Sequence, residues 1–168
     1  MIDPTLVSPA DEEHLRHAIA LARRARENGD HPFGSIVVAP DGRVVEGVNT
    51  VVTESDPTGH AETNVVRRAA RTLTADELRA SVLYTSTEPC AMCAGAVYWS
   101  GIARVVYALP EDGLRALVPT QGREPTMNLP CRRVFAAGGR TVDVAGPALE
   151  TEAAAVHDGF WAQGEPTP

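Results

Sequence analysis

The sequence predicts an α/β fold in which one sheet is sandwiched between layers of helix. Three observations carry that prediction. Short β-branched runs recur through the middle of the chain, stretches of helical periodicity separate them, and the order reads β-β-α-β-α-β. At 168 residues, with 43% hydrophobic and 22% charged, the chain suits one domain over 1–168 that buries its core without disulfides.

Ser8-Pro9-Ala10-Asp11 supplies an N-cap with proline at the first helical position. Leu15, Ala18, Ile19 and Ala22 follow at helical spacing, and Asn28-Gly29 stops the element. Residues 35–39 and 43–48 flank Pro40-Asp41-Gly42 and form a hairpin. Asp56-Pro57-Thr58-Gly59 turns the chain into a helix over about 60–71, with Val65, Val66 and Ala69 on its apolar side. Residues 82–85 make a third strand, 90–99 a small-residue helix and 103–108 a fourth strand. Residues 111–130 are rich in proline and glycine and give no clear element. Beyond them, 131–136 reads as a short helix, 140–144 as a fifth strand and 149–161 as a closing helix.

Charge narrows the class of partner. Fifteen basic against 22 acidic residues leave a net charge of −7, which argues against a nucleic-acid polymer as substrate, because neutralising phosphates requires a basic stripe. The clusters Arg23, Arg24, Arg26 and Arg67, Arg68, Arg71 read as solvated helix faces. A small molecule is the expected partner. No apolar run reaches the roughly 20 residues of a membrane span. Met1-Ile2-Asp3-Pro4-Thr5 lacks a secretory leader's pattern and the three cysteines cannot all pair, so a reducing, cytoplasmic setting is expected.

The chemistry concentrates in two short segments, His60-Ala61-Glu62 and Pro89-Cys90-Ala91-Met92-Cys93. His60, Cys90 and Cys93 offer an imidazole and two thiolates, the three protein ligands of a catalytic zinc site. Both segments fall where a loop passes into a helix, so two helix starts lying side by side would aim these groups at one point. Zinc held there lowers the pKa of its bound water to about 7. Glu62 is left over as a proton carrier that serves a water, a ring nitrogen and a departing amine in turn. Two other readings fit worse. A redox dithiol would leave His60 idle, and a structural zinc needs a fourth ligand that neither His31 nor His157 supplies at a telling spacing.

His-x-Glu followed by Pro-Cys-x-x-Cys is a signature of zinc deaminases, and from about Asp11 to Ala108 the chain resembles the cytidine deaminase-like superfamily. Residues 56–62 and 83–99, ending in Tyr98-Trp99, look most like guanine deaminases, with tRNA adenosine deaminases as close relatives. The resemblance implies a three-layer α/β/α fold with a five-stranded mixed sheet and Zn²⁺ as cofactor. It implies hydrolytic deamination of a free purine base in purine metabolism, guanine to xanthine and ammonia before all. Guanosine, cytosine, an aminated triazine and the wobble adenosine of tRNA are the alternatives, and a non-catalytic zinc module is the reading from a different class. By the same resemblance Asn49 and the Ala61 N–H hold the base, Phe33 and Trp99 line the pocket, and Glu124 is the acid offered by the loop after the fourth strand. The chain departs from the family pattern around residues 120–125. Residues 149–168, with Glu150, Glu152, His157, Asp158, Phe160 and Trp161, would form a lid or a segment swapped between subunits of a homodimer.

Overall fold

The computed structural model describes residues 5–119 and 127–163. Five strands form one sheet: β1 (Gly34–Val38), β2 (Val44–Val48), β3 (Val82–Thr87), β4 (Arg104–Leu109) and β5 (Asp143–Ala145). Their order is β2-β1-β3-β4-β5. β1 runs antiparallel to both β2 and β3, whereas β3, β4 and β5 are parallel, so the sheet is mixed. The helices are α1 (Pro9–Glu27), α2 (Ala61–Thr72), α3 (Ala75–Arg79), α4 (Ala91–Ser100), α5 (Glu111–Leu117), α6 (Cys131–Ala136) and α7 (Glu150–Ala154).

Alternation along the strands divides the core into two layers. Val37, Leu83, Val105 and Val144 point to one face and pack with Val65 and Ala69 of α2, Ala94 and Val97 of α4 and Phe135 of α6. Their neighbours Ile36, Tyr84, Val106 and Ala145 point to the other and pack with Leu15 and Ile19 of α1 and Ala153 of α7. This gives the three layers expected. Gly47 fixes how closely α2 lies on the sheet, since a Cβ there would come within 2.5 Å of the Ala61 carbonyl oxygen.

The far half of the chain departs from the expectations. The fifth strand covers Asp143–Ala145 instead of 140–144, because the Arg140 guanidinium turns back to the carbonyls of Val97 and Ile102. The closing helix over 149–161 is broken into α7 and two 3₁₀ turns, Ala155–His157 and Trp161–Gln163, with Gly159 at φ +69 between them. Two helices, α3 and α5, were not expected. α3 is announced by a capping box, with Thr74 and Glu77 bonding reciprocally to each other's backbone.

Candidate metal centre

All parts of the site meet at one edge of the sheet, where β3 and β4 end and β1 begins. His60 is the N-cap of α2 and Cys90 the N-cap of α4, yet neither side chain caps its own helix. Both are turned instead toward a common point, with Cys93 in the first turn of α4.

The loop before His60 is held from several directions. Asn64 Nδ2 donates to the Val48 carbonyl and to Thr50 Oγ1, both at 2.9 Å, and the Thr50 N–H donates to the Gly59 carbonyl at 2.8 Å. The buried Asp30 carboxylate accepts the N–H groups of Val52 and Thr53, each at 2.9 Å. On the other side, the Glu88 carboxylate accepts the N–H of Glu111 at 3.1 Å and that of Cys131 at 3.0 Å. One buried side chain thereby joins the starts of α5 and α6 to the loop that carries Cys90.

His60 Nδ1 lies 3.7 Å from Cys90 Sγ and 3.5 Å from Cys93 Sγ. Tetrahedral zinc with bonds of about 2.3 Å to sulfur and 2.0–2.1 Å to nitrogen requires nitrogen–sulfur separations of about 3.6 Å. The residues fit the ion. All three donor atoms lie within 4.8 Å of one another, and they form the one such metal-binding group among the described residues. Three protein ligands leave a tetrahedral corner for water or substrate, the arrangement of a catalytic site.

The Cys93 thiol donates to Glu62 Oε2 at 3.6 Å. Burial lifts the Glu62 carboxyl to about 7, with the charge of Cys90 adding to the effect, so this group can take and return a proton near neutrality. The hydrogen bond from Cys93, helped by His60, outweighs burial and lowers the Cys90 thiol to about 4. The same bond and burial push Cys93 up. Burial pushes His60 down, but its bond to Cys90 and the charge of Glu62 prevail and raise it.

Other predicted residues meet here in part. Asn49 is 1% exposed, its N–H donates to the Phe33 carbonyl at 3.1 Å, and its Oδ1 accepts the Val51 N–H at 3.1 Å. Ala61 opens α2 next to His60. The Phe33 ring packs against His157 and Trp161, with centroids 5.4 and 6.3 Å away, so the C-terminal segment reaches the same edge. Trp161 Nε1 donates to His157 Nδ1 at 3.2 Å. In this chain the segment folds onto its own α1, where Arg16 bonds Glu152 and Arg26 bonds the Val156 carbonyl.

Trp99 is not brought to the trio within this chain. It lies six residues beyond Cys93, about 9 Å further along α4 and on a different side of it, and is 86% exposed. Glu124 lies outside the described residues. Sequence reasoning missed Asp30 and Glu88 as braces. Glu88 stands inside the motif segment, but its two helix-start partners are far away in the chain.

Residues 8–109 match the family model described as the cytidine and deoxycytidylate deaminase zinc-binding region. A probable cytosine deaminase of Schizosaccharomyces pombe is 40% identical over 157 residues, covering 94% of this chain and 96% of its own. The guanine deaminase of Bacillus subtilis is 43% identical over 98 residues, 58% of this chain and 63% of that protein. The solved guanine deaminase of Nitrosomonas europaea superposes with a TM-score of 0.73 at 28% identity, over 94% of this chain and 87% of the other. With residues 8–109 matching that model and a mixed sheet that superposes on a solved guanine deaminase, this chain belongs to the cytidine and deoxycytidylate deaminase family of zinc-dependent hydrolases.

Proposed function

We propose that the protein deaminates a free purine base, converting guanine and water to xanthine and ammonia. The observation that carries the hydrolytic reading is the meeting of His60 Nδ1 with both sulfurs at 3.5 and 3.7 Å, with Glu62 3.6 Å from Cys93. Bound zinc supplies the Lewis acidity that makes hydroxide available near neutral pH. Glu62 takes the proton lost by the attacking water and passes it to the ring nitrogen, which makes the neighbouring carbon electrophilic. It then takes the proton of the newly added hydroxyl, as the carbonyl forms and the C–N bond breaks, and gives it to the departing amine. The Asn49 NH₂ and the Ala61 N–H orient the base, and Phe33 gives its ring a flat apolar wall.

The relatedness to guanine deaminases over most of the chain supports guanine. Cytosine is the second reading, favoured by the probable cytosine deaminase that matches 94% of this chain. Net charge disfavours a tRNA. A homodimer is part of the proposal, since Trp99 and the 38% exposed Met92 give α4 an apolar outer side that a second copy would cover. The test is ammonia release from guanine, guanosine, cytosine, ammeline and adenine. Guanine is expected to react fastest. Turnover of cytosine with guanine inert moves the substrate and leaves the mechanism, and no release from any base withdraws the catalytic reading.

A further inference from the structure

The chain between Asn49 and His60 leaves the sheet and returns to it, and its two ends lie side by side. The Thr50 N–H donates to the Gly59 carbonyl at 2.8 Å. A Cβ on Gly59 would come within 2.8 Å of Thr50 Oγ1 and 3.1 Å of the Asp56 carbonyl oxygen, so an approach this close requires glycine. Thr50 follows Asn49, and Gly59 precedes His60. The residue assigned to the base and the residue assigned to the metal therefore flank one neck.

Asn64 spans this neck. It is buried one helical turn beyond His60, and its N–H donates to the His60 carbonyl at 2.9 Å. Its side-chain NH₂ donates to the Val48 carbonyl and to Thr50 Oγ1, both at 2.9 Å, and to the Gly59 carbonyl at 3.3 Å. The first two acceptors bracket Asn49 in the chain, and the third adjoins His60. Asn49 bonds across to Phe33, so the alternation of an antiparallel pair turns the Val48 carbonyl away from β1. β2 is an edge strand, and that carbonyl is met from α2 instead. A primary amide carries two N–H donors on one atom, which lets it hold both sides of the neck at once. A hydroxyl at this position has one donor and would hold one side.

We propose that Asn64 is a positioning residue for the deamination. By clamping the neck it fixes where Asn49, which orients the base, lies relative to His60, which holds the zinc. This deepens the proposed function and rests on it, because Asn49 meets a base only under that reading. A misplacement of about 1 Å at a reacting centre can cost about 100-fold in rate. Losing the contacts that orient a metal ligand costs about 10–100-fold in metal affinity. A clamp shared by both residues therefore moves both quantities with one substitution.

Two measurements on Asn64→Ala and wild-type enzyme test this: kcat/KM for ammonia release from the base turned over fastest, and zinc affinity by competition with a chromogenic chelator. The variant is expected to lose about tenfold or more in each. Thr50→Val keeps the shape of the side chain, removes the Oγ1 acceptor and should shift both in the same direction by a smaller factor. It decides the matter if Asn64→Ala does not fold. Thr74→Ala, which opens the capping box of α3 and lowers the melting temperature away from the neck, should leave both quantities at the wild-type value. Either quantity unchanged within about twofold at position 64, or both moved as far by Thr74→Ala, would overturn the assignment. If the wild-type enzyme releases no ammonia from any base, the deaminase reading falls by itself, and zinc affinity alone then decides whether Asn64 holds His60.

Discussion

Four helix starts in this protein fall into two pairs. α1 and α3 begin with capping boxes, in which Ser8 with Asp11, and Thr74 with Glu77, satisfy the first backbone N–H groups reciprocally. α2 and α4 begin with His60 and Cys90, and neither side chain makes a capping bond. A capping residue contributes about 1 kcal/mol to its helix. The second pair forgoes that local gain and gives its side chains to a shared ion. The first pair secures helices and the second builds a reaction centre, and the two kinds of start should respond oppositely to mutation.

The largest separation is expected at the ligands themselves. Cys93→Ala should reduce bound zinc from about one per chain to almost none and abolish ammonia release, read by metal analysis and a turnover assay. Glu62→Gln comes next: kcat should fall about 10²–10⁴-fold with zinc content unchanged. Loss of zinc in that variant would make Glu62 a brace of the site, not its proton carrier.

In the other pair, effects should appear in stability and spare the turnover of folded enzyme. Asp11 closes the capping box of α1 and also receives Arg104 at 2.8 and 3.0 Å and the Tyr84 hydroxyl at 2.8 Å. Burial alone would raise its carboxyl, but Arg104, Ser8 and Tyr84 more than reverse this and hold it far below the ordinary 3.8. A carboxyl depressed on folding stabilises the protein fully above its unfolded value, and that contribution is lost as pH falls below about 4. Asp11→Asn should therefore cost about 3 kcal/mol at pH 7 in denaturant melts and flatten the acid limb of the stability profile. Ser8→Ala should cost only about 1 kcal/mol.

The same division explains what the sequence made legible. The metal ligands could be read because each donor lies within a turn of a helix start, so the geometry is set by local spacing. Their convergence needed the fold, which the β-β-α-β-α-β order already implied. The capping box at Thr74 was equally local, yet α3 escaped notice because it is only five residues long. The bracing role of Glu88 could not be read at all. It depends on the N–H groups of Glu111 and Cys131, 23 and 43 residues further along the chain, which no spacing announces. Trp99 shows the converse: a residue matched through its neighbours in sequence lies at the end of α4 remote from the ligands.

Zinc-edge X-ray absorption of the purified, zinc-loaded protein tests the account at its centre. Two sulfurs at about 2.3 Å with two lighter atoms at about 2.0 Å are expected, and Cys90→Ser should remove one sulfur from the shell. A shell without sulfur, or no zinc retained by the wild-type chain, would contradict it.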